Sequence, residues 1–293
     1  MSAPVPARPN PVAAYLSLIV FAHTLFALPF ALLSAVIAAG GIPESRTLLW
    51  ILAAMVGARS AAMAFNRIVD RELDAKNPRT ARREIPAGVV PLGGAVLFTI
   101  ASAALFVFAA SRLNPLCFAL SPVALAVVLG YSFTKRVTWA SHLVLGLSLA
   151  IAPVGAWIAV TGSLATLPVL LGLAVLLWVA GFDVIYSLQD VAFDREHGLW
   201  SLPARFGPAR ALLLSSLFHA GTLALLYAVF VLAQGGALFG AGVALAGLFL
   251  VRQHAIVSPG DLSRVDAAFF TANGWLSVVV LLFGALDVLL RGR

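Results

Sequence analysis

The feature that most constrains this chain is a succession of apolar runs, each about as long as a helix that crosses a hydrocarbon core about 30 Å thick. They fall at roughly 12–39, 46–70, 91–111, 116–133, 140–161, 166–188, 208–233, 235–252 and 266–289. Only 11% of the 293 residues are charged and the mean hydropathy is +1.01, far from the quarter or so of charged residues in soluble domains. Lipid offers backbone groups no partner, so each run must satisfy its hydrogen bonds internally, and the runs lack the alternation of a barrel strand. The sequence therefore predicts an all-α, multi-spanning membrane protein of about nine transmembrane helices. The least certain division is inside 212–252, where only Gln234, Gly235 and Gly236 interrupt the apolar stretch. The run that opens near Val12 follows a Pro-rich leader with one Arg and no small-residue cleavage site, and it reads as a first span, not a removed signal peptide.

Charge sets the expected orientation. With the N-terminus in the cytoplasm, alternate loops collect 14 of the 19 Lys and Arg, which places the C-terminus outside; the membrane is expected to be a prokaryotic cytoplasmic one. The net charge of +7 follows from these loops; no basic domain suited to nucleic acid is present. One cysteine, Cys117, excludes an intramolecular disulfide and a Cys-rich metal site.

Two polar connections stand out. The first, Asn66–Gly88, reads NRIVDRELDAKNPRTARREIPAG and holds six basic and four acidic residues. The second, Asp183–Gly207, reads DVIYSLQDVAFDREHGLWSLPARFG. Each leaves a span through Asp-x-x-x-Asp and re-enters near Pro-Ala, four spans apart, as in two pseudo-repeated halves with one polar loop each on the same face.

Asn66, Asp70 and Asp74 lie four apart, on one face of a helix expected to end near Lys76 before Asn77-Pro78. Asp190 and Asp194 repeat the spacing, with Asp183 two turns earlier on nearly the same face. Stacked carboxylates repel, so a sequence that keeps them twice implies a cation between them. Oxygen ligands without His or Cys favour Mg²⁺, which shares its sphere with phosphate oxygens. The neighbouring Arg and Lys suit the same phosphates, and the combination points to a diphosphate. Arg59, two turns before Asn66, faces the same way, and a charge inside a span usually faces an interior site. His23 in the first span has no assigned role.

These motifs resemble those of the UbiA superfamily of intramembrane prenyltransferases. The resemblance extends over HTLFALPFA (His23–Ala31), NPRTARREIPAG, YSFTKR (Tyr131–Arg136), APVGAWIAVTG (Ala152–Gly162) and DLSRVDAAFFTANGW (Asp261–Trp275). It is nearest the quinone-pathway branch, the 4-hydroxybenzoate polyprenyltransferases, and the second motif is similar to members that prenylate the naphthoate precursor of futalosine-route menaquinone. It implies one integral membrane domain over 1–293, with its helices around a central cavity. It further implies one Mg²⁺ on Asn66, Asp70 and Asp74 and a second on Asp190 and Asp194, the two bridging the diphosphate of a polyprenyl donor. Lys135, with Tyr131 four before it, would contact that diphosphate, as would Arg79 and Arg83, with Arg79–Gly88 as a lid. Asp183 and Arg67 would orient a small aromatic acid as acceptor. Many relatives carry a third Asp in the second motif where this chain has Gly198, leaving the second ion fewer protein ligands. The Phe, Trp and Leu of the spans are expected to line the tail channel. A different acceptor, or a secondary transporter with repeated halves, are the competing readings; oligomeric state is not legible.

Overall fold

The structure, a computed structural model, describes residues 11–18 and 24–291. Helices α1 (Pro11–Leu18), α2 (Thr24–Ala39), α3 (Ser45–Lys76), α4 (Leu92–Leu113), α5 (Pro115–Thr134), α6 (Ser141–Thr161) and α7 (Thr166–Ser187) come first. The short α8 (Val191–Glu196) and α9 (Leu202–Phe206) come next, then α10 (Pro208–Leu232), α11 (Ala237–Ala255) and α12 (Asn273–Arg291). Among the described residues, eight helical segments are long and apolar enough to cross a membrane, and Phe26–Ala39 is a shorter apolar helix. The expected first span thus holds α1 and α2, while His23 lies outside the described residues.

The helix ends reflect local chemistry. Helix α3 stops at Asn77, ahead of Pro78, and α5 starts at Asn114, whose side chain accepts from Cys117 N–H ahead of an N-terminal Pro115. The ambiguous stretch 212–252 turns at Ala233–Gly236, where Gln234 takes a positive φ of 51°. Buried Asp287 of α12 secures that turn. It accepts from Gly236 N–H at 2.9 Å and pairs with Arg291 at 2.7 Å, while Arg291 also donates to the Gln234 carbonyl.

Helix pairs close where a residue lacks a side chain. A Cβ built on Gly57 of α3 would collide with the backbone of α4 at Ser102 and Phe106, and one on Gly146 of α6 would overlap the Leu176 carbonyl of α7. The main core gathers around α7, with Trp178 and Phe182 against Phe26, Phe30 and Phe269. Phe269 stands on a π-helical turn, Ala267–Ala272, that leads into α12.

Candidate active site

Helix α3 carries its three motif residues past the apolar layer on one continuous helix. Asn66 donates to Asp70 at 2.9 Å, Arg136 donates to the other Asp70 oxygen at 2.8 Å, and Arg83 reaches Asp74 at 2.6 Å. The second Asp74 oxygen is buried and has no hydrogen-bond partner.

The second motif departs from the expected stripe. Helix α7 ends at Ser187, a 3₁₀ turn covers Leu188–Asp190, and Asp194 belongs to the separate α8. Asp183 therefore lies on α7 while Asp194 lies on the separate α8, because the tighter 3₁₀ turn between them interrupts the α-helix and turns the residues beyond it further about the axis. Instead Asp183 bonds His142 of α6 at 2.7 Å, Asp190 turns to the first loop, and Asp194, 1% exposed, accepts from Ser201 at 2.7 Å. The two loops meet at Asp190, which takes Arg79 Nε at 3.0 Å, Arg79 Nη2 at 2.6 Å and Asn77 Nδ2 at 3.3 Å. Burial alone would lower the Arg79 guanidinium, but its hydrogen bonds and attraction to Asp190 outweigh that and hold it above its ordinary value, so it stays charged. Arg79 also lies over the Tyr186 ring, 5.2 Å from its centre, and donates to the Tyr186 hydroxyl.

Between the loops is a polar cleft of about 60 Å³ lined by Asp70, Asp74, Asn77, Arg79, Lys135, Asp190 and Asp194, among others. One turn below Asp70, Asn66 lines a second space, an apolar cavity of about 570 Å³ whose walls come from α3, α5, α6 and α7 with parts of α2 and α4. Arg59 and Tyr131 also line it. Apart from these three and Phe106, its wall is Ala, Leu, Val, Ile, Met and a few small residues. Of the Phe, Trp and Leu expected to line the tail channel, leucines of α4 to α7 and Phe106 do so; Trp178, Phe182 and Phe269 instead fill the core beside it, where their rings pack against one another.

The structure brings most of the predicted site residues to these two spaces. Arg83 reaches the cleft only through Asp74. Asp183 and Arg67 line neither space; Arg67 is buried, within electrostatic reach of Asp74, Glu84, Asp70 and Arg83. Arg136, His142 and Ser201 were not singled out by sequence. Arg136 adjoins Lys135, which is the only signal that pointed to it.

The cleft suits Mg²⁺ by donor type: its acids offer hard oxygens, and one Asp74 oxygen is buried and unmatched. Among the described residues no three acidic, His or Cys side chains converge on one point, because guanidinium groups or a hydroxyl hold the carboxylates instead.

A family model described as the UbiA prenyltransferase family matches residues 27–276. The chain belongs to that family. Among its curated relatives, the 4-hydroxybenzoate octaprenyltransferase of Nitrosomonas europaea is 31% identical, over 87% of this chain and 87% of the relative. The protein of the same name from Vibrio atlanticus is 31% identical, over 85% and 88%. The apo structure of a UbiA homolog from Aeropyrum pernix K1 superposes with a TM-score of 0.83 at 36% identity, covering 91% of this chain and 98% of that one. A UbiA homolog from Archaeoglobus fulgidus, solved bound to DMAPP and Mg²⁺, shares the fold with a TM-score of 0.74 at 21% identity, covering 94% and 98%. As a UbiA prenyltransferase the chain is an enzyme and an integral membrane protein, which sets the transporter reading aside.

Proposed function

We propose that this UbiA prenyltransferase transfers a polyprenyl group from polyprenyl diphosphate to a small aromatic acid, 4-hydroxybenzoate or 1,4-dihydroxy-6-naphthoate, in ubiquinone or menaquinone biosynthesis. The observation that carries the reading is the stacking of a charged cleft on a long apolar cavity, joined through successive turns of α3 at Asp70 and Asn66. The relatives named 4-hydroxybenzoate octaprenyltransferase support the aromatic acceptor. The homolog bound to DMAPP and Mg²⁺ supports the donor and the ion.

In this reading Asn66, Asp70 and Asp74 hold one Mg²⁺, and Asp190 and Asp194 hold a second. Bound Mg²⁺ supplies neutralisation of the leaving diphosphate's charge. Arg79, Arg83 and Lys135 take the diphosphate oxygens, with Tyr131 beside them, which requires Arg79 and Arg83 to release Asp190 and Asp74. The prenyl tail lies in the apolar cavity, which between Tyr131 and Cys117 of α5 extends about 21 Å at the helical rise. Its aliphatic walls keep water from the allylic carbon. The carbon–oxygen bond breaks with its electron pair on the diphosphate, and ring electrons of the acceptor form the new carbon–carbon bond. Loss of a ring proton, to the released diphosphate or to Asp183, restores aromaticity. Asp183 and Arg67 orient the acceptor. The loops face the cytoplasm, in one domain spanning a prokaryotic cytoplasmic membrane.

The test is direct. Purified protein with a polyprenyl diphosphate, Mg²⁺ and each aromatic acid is expected to yield a prenylated ring by mass spectrometry. No product with either acid overturns the acceptor assignment.

A further inference from the structure

His142 lies in the first turn of α6, belongs to neither motif and is completely buried. Its Nδ1 stands 2.7 Å from Asp183 Oδ2, and its Nε2 stands 3.2 Å from the backbone nitrogen of Leu202. An amide N–H can only donate, so Nε2 accepts. A ring with one nitrogen accepting carries its proton on the other. Nδ1–H therefore donates to Asp183, which receives it as a carboxylate. Asp183 Oδ1 has no hydrogen-bond partner among the described residues, and the side chain keeps 16% of its surface open. Its charge reaches Tyr131, a residue of the cavity wall.

The histidine is placed by backbone packing. Gly146, one turn along the same face of α6, lets that helix meet α7 at Leu176, and Asp183 stands two turns beyond Leu176. The other side of the ring grips the start of α9, whose N-cap Ser201 donates to Asp194.

We propose that His142 is a positioning residue for the acceptor. It holds Asp183 as an oriented carboxylate whose Oδ1 accepts a hydrogen bond from a hydroxyl of the aromatic substrate. Through Leu202 and Ser201 it sets that orientation from the same short segment that holds Asp194 beside the cleft. The assignment rests on the aromatic-acceptor reading above. A charge-assisted hydrogen bond fixes a carboxylate more firmly than packing does, and a residue behind a binding group commonly costs tenfold or more when lost.

The test uses the full chain in detergent or nanodiscs, with His142→Ala, His142→Asn and His142→Gln. Asparagine places an amide N–H where Nδ1 stood, toward Asp183; glutamine places its amide where Nε2 stood, toward Leu202. His142→Ala is expected to lower kcat/KM for the aromatic acid about 10- to 100-fold, the value of one such bond. KM for polyprenyl diphosphate is expected to hold within about twofold, and His142→Asn to recover most of the loss where His142→Gln does not. Equal effects on both substrates, or glutamine recovering as well as asparagine, overturn the assignment in favour of a purely structural role. If His142→Ala fails to insert, the asparagine-to-glutamine comparison alone decides. A wild type that prenylates no aromatic acid overturns the functional reading and this assignment together. An active wild type whose His142→Ala variant keeps its acceptor kinetics overturns the assignment alone.

Discussion

Arg79 grips Asp190 with two donors, Nε at 3.0 Å and Nη2 at 2.6 Å, and so bolts the loop after α3 to the turn after α7. In the proposed reaction the same guanidinium must pass to the diphosphate. Its planar fork matches either anion, which a lysine ammonium does not. Arg79→Ala is expected to lower kcat/KM for polyprenyl diphosphate about 10- to 100-fold, the value of charge-assisted hydrogen bonds, with Arg79→Lys between. Steady-state kinetics with the donor varied measures this, and an alanine variant within about twofold of wild type removes Arg79 from the site.

The arginine pairs make a second prediction about ion binding. Asp70, Asp74 and Asp190 are each held by a guanidinium, so an ion gains their oxygens only as the arginines find another anion. Mg²⁺ and pyrophosphate should therefore bind cooperatively, each tightening the other by the same factor, about 5- to 150-fold. Calorimetry of each titrated with and without the other measures the coupling. Asp70→Ala and Asp190→Ala should abolish both coupling and product while the protein still inserts; an active variant, or full turnover in excess EDTA, sinks the metal assignment.

The helices were legible because lipid leaves the backbone one solution, and a run of apolar residues announces it. The first motif was legible for a related reason: α3 continues unbroken to Lys76, so a spacing of four translates directly into one face. The second was not, because Leu188–Asp190 tighten into a 3₁₀ turn that no residue spacing signals. His142 lies 41 positions from Asp183, and the close approach of α6 to α7, at Gly146 and again at Gly172, brings them together. Spans rich in Phe, Trp and Leu suggested the channel's lining, and leucines supply most of that set; which faces of those spans turn toward one another is decided by packing that a single sequence does not display.

Asp287 offers a test away from the chemistry. It accepts from the backbone of Gly236 and Phe239 at the start of α11 and pairs with Arg291, so one buried carboxylate holds the α10–α11 turn to α12. Asp287→Ala leaves those amides without their acceptor and removes the carboxylate from Arg291, which keeps only backbone carbonyls such as that of Gln234. The expected loss is about 2 kcal/mol, that of a helix cap plus its charged partner. Thermal unfolding in detergent should fall by several degrees, while the fraction that remains folded keeps wild-type kinetics. An unchanged midpoint means water serves the turn equally well.

Gly146 tests whether backbone approach sets the site. In an exposed helix, Gly→Ala stabilises by about 0.5–1 kcal/mol by reducing the freedom of the unfolded chain, and Gly93, with open space around it, should behave so. At Gly146 the added methyl meets the Leu176 carbonyl, which as backbone of a packed helix has no rotamer to retreat into. Helix α6 must then move away from α7, at a cost of about 1–3 kcal/mol for overpacking. Because His142 is one turn away on the same face, the displacement should lengthen its bond to Asp183. Gly146→Ala is therefore expected to lose stability and, in the folded fraction, to lower kcat/KM for the aromatic acid more than for the diphosphate. If stability falls but the two substrates suffer alike, the contact holds the bundle together without setting the position of Asp183.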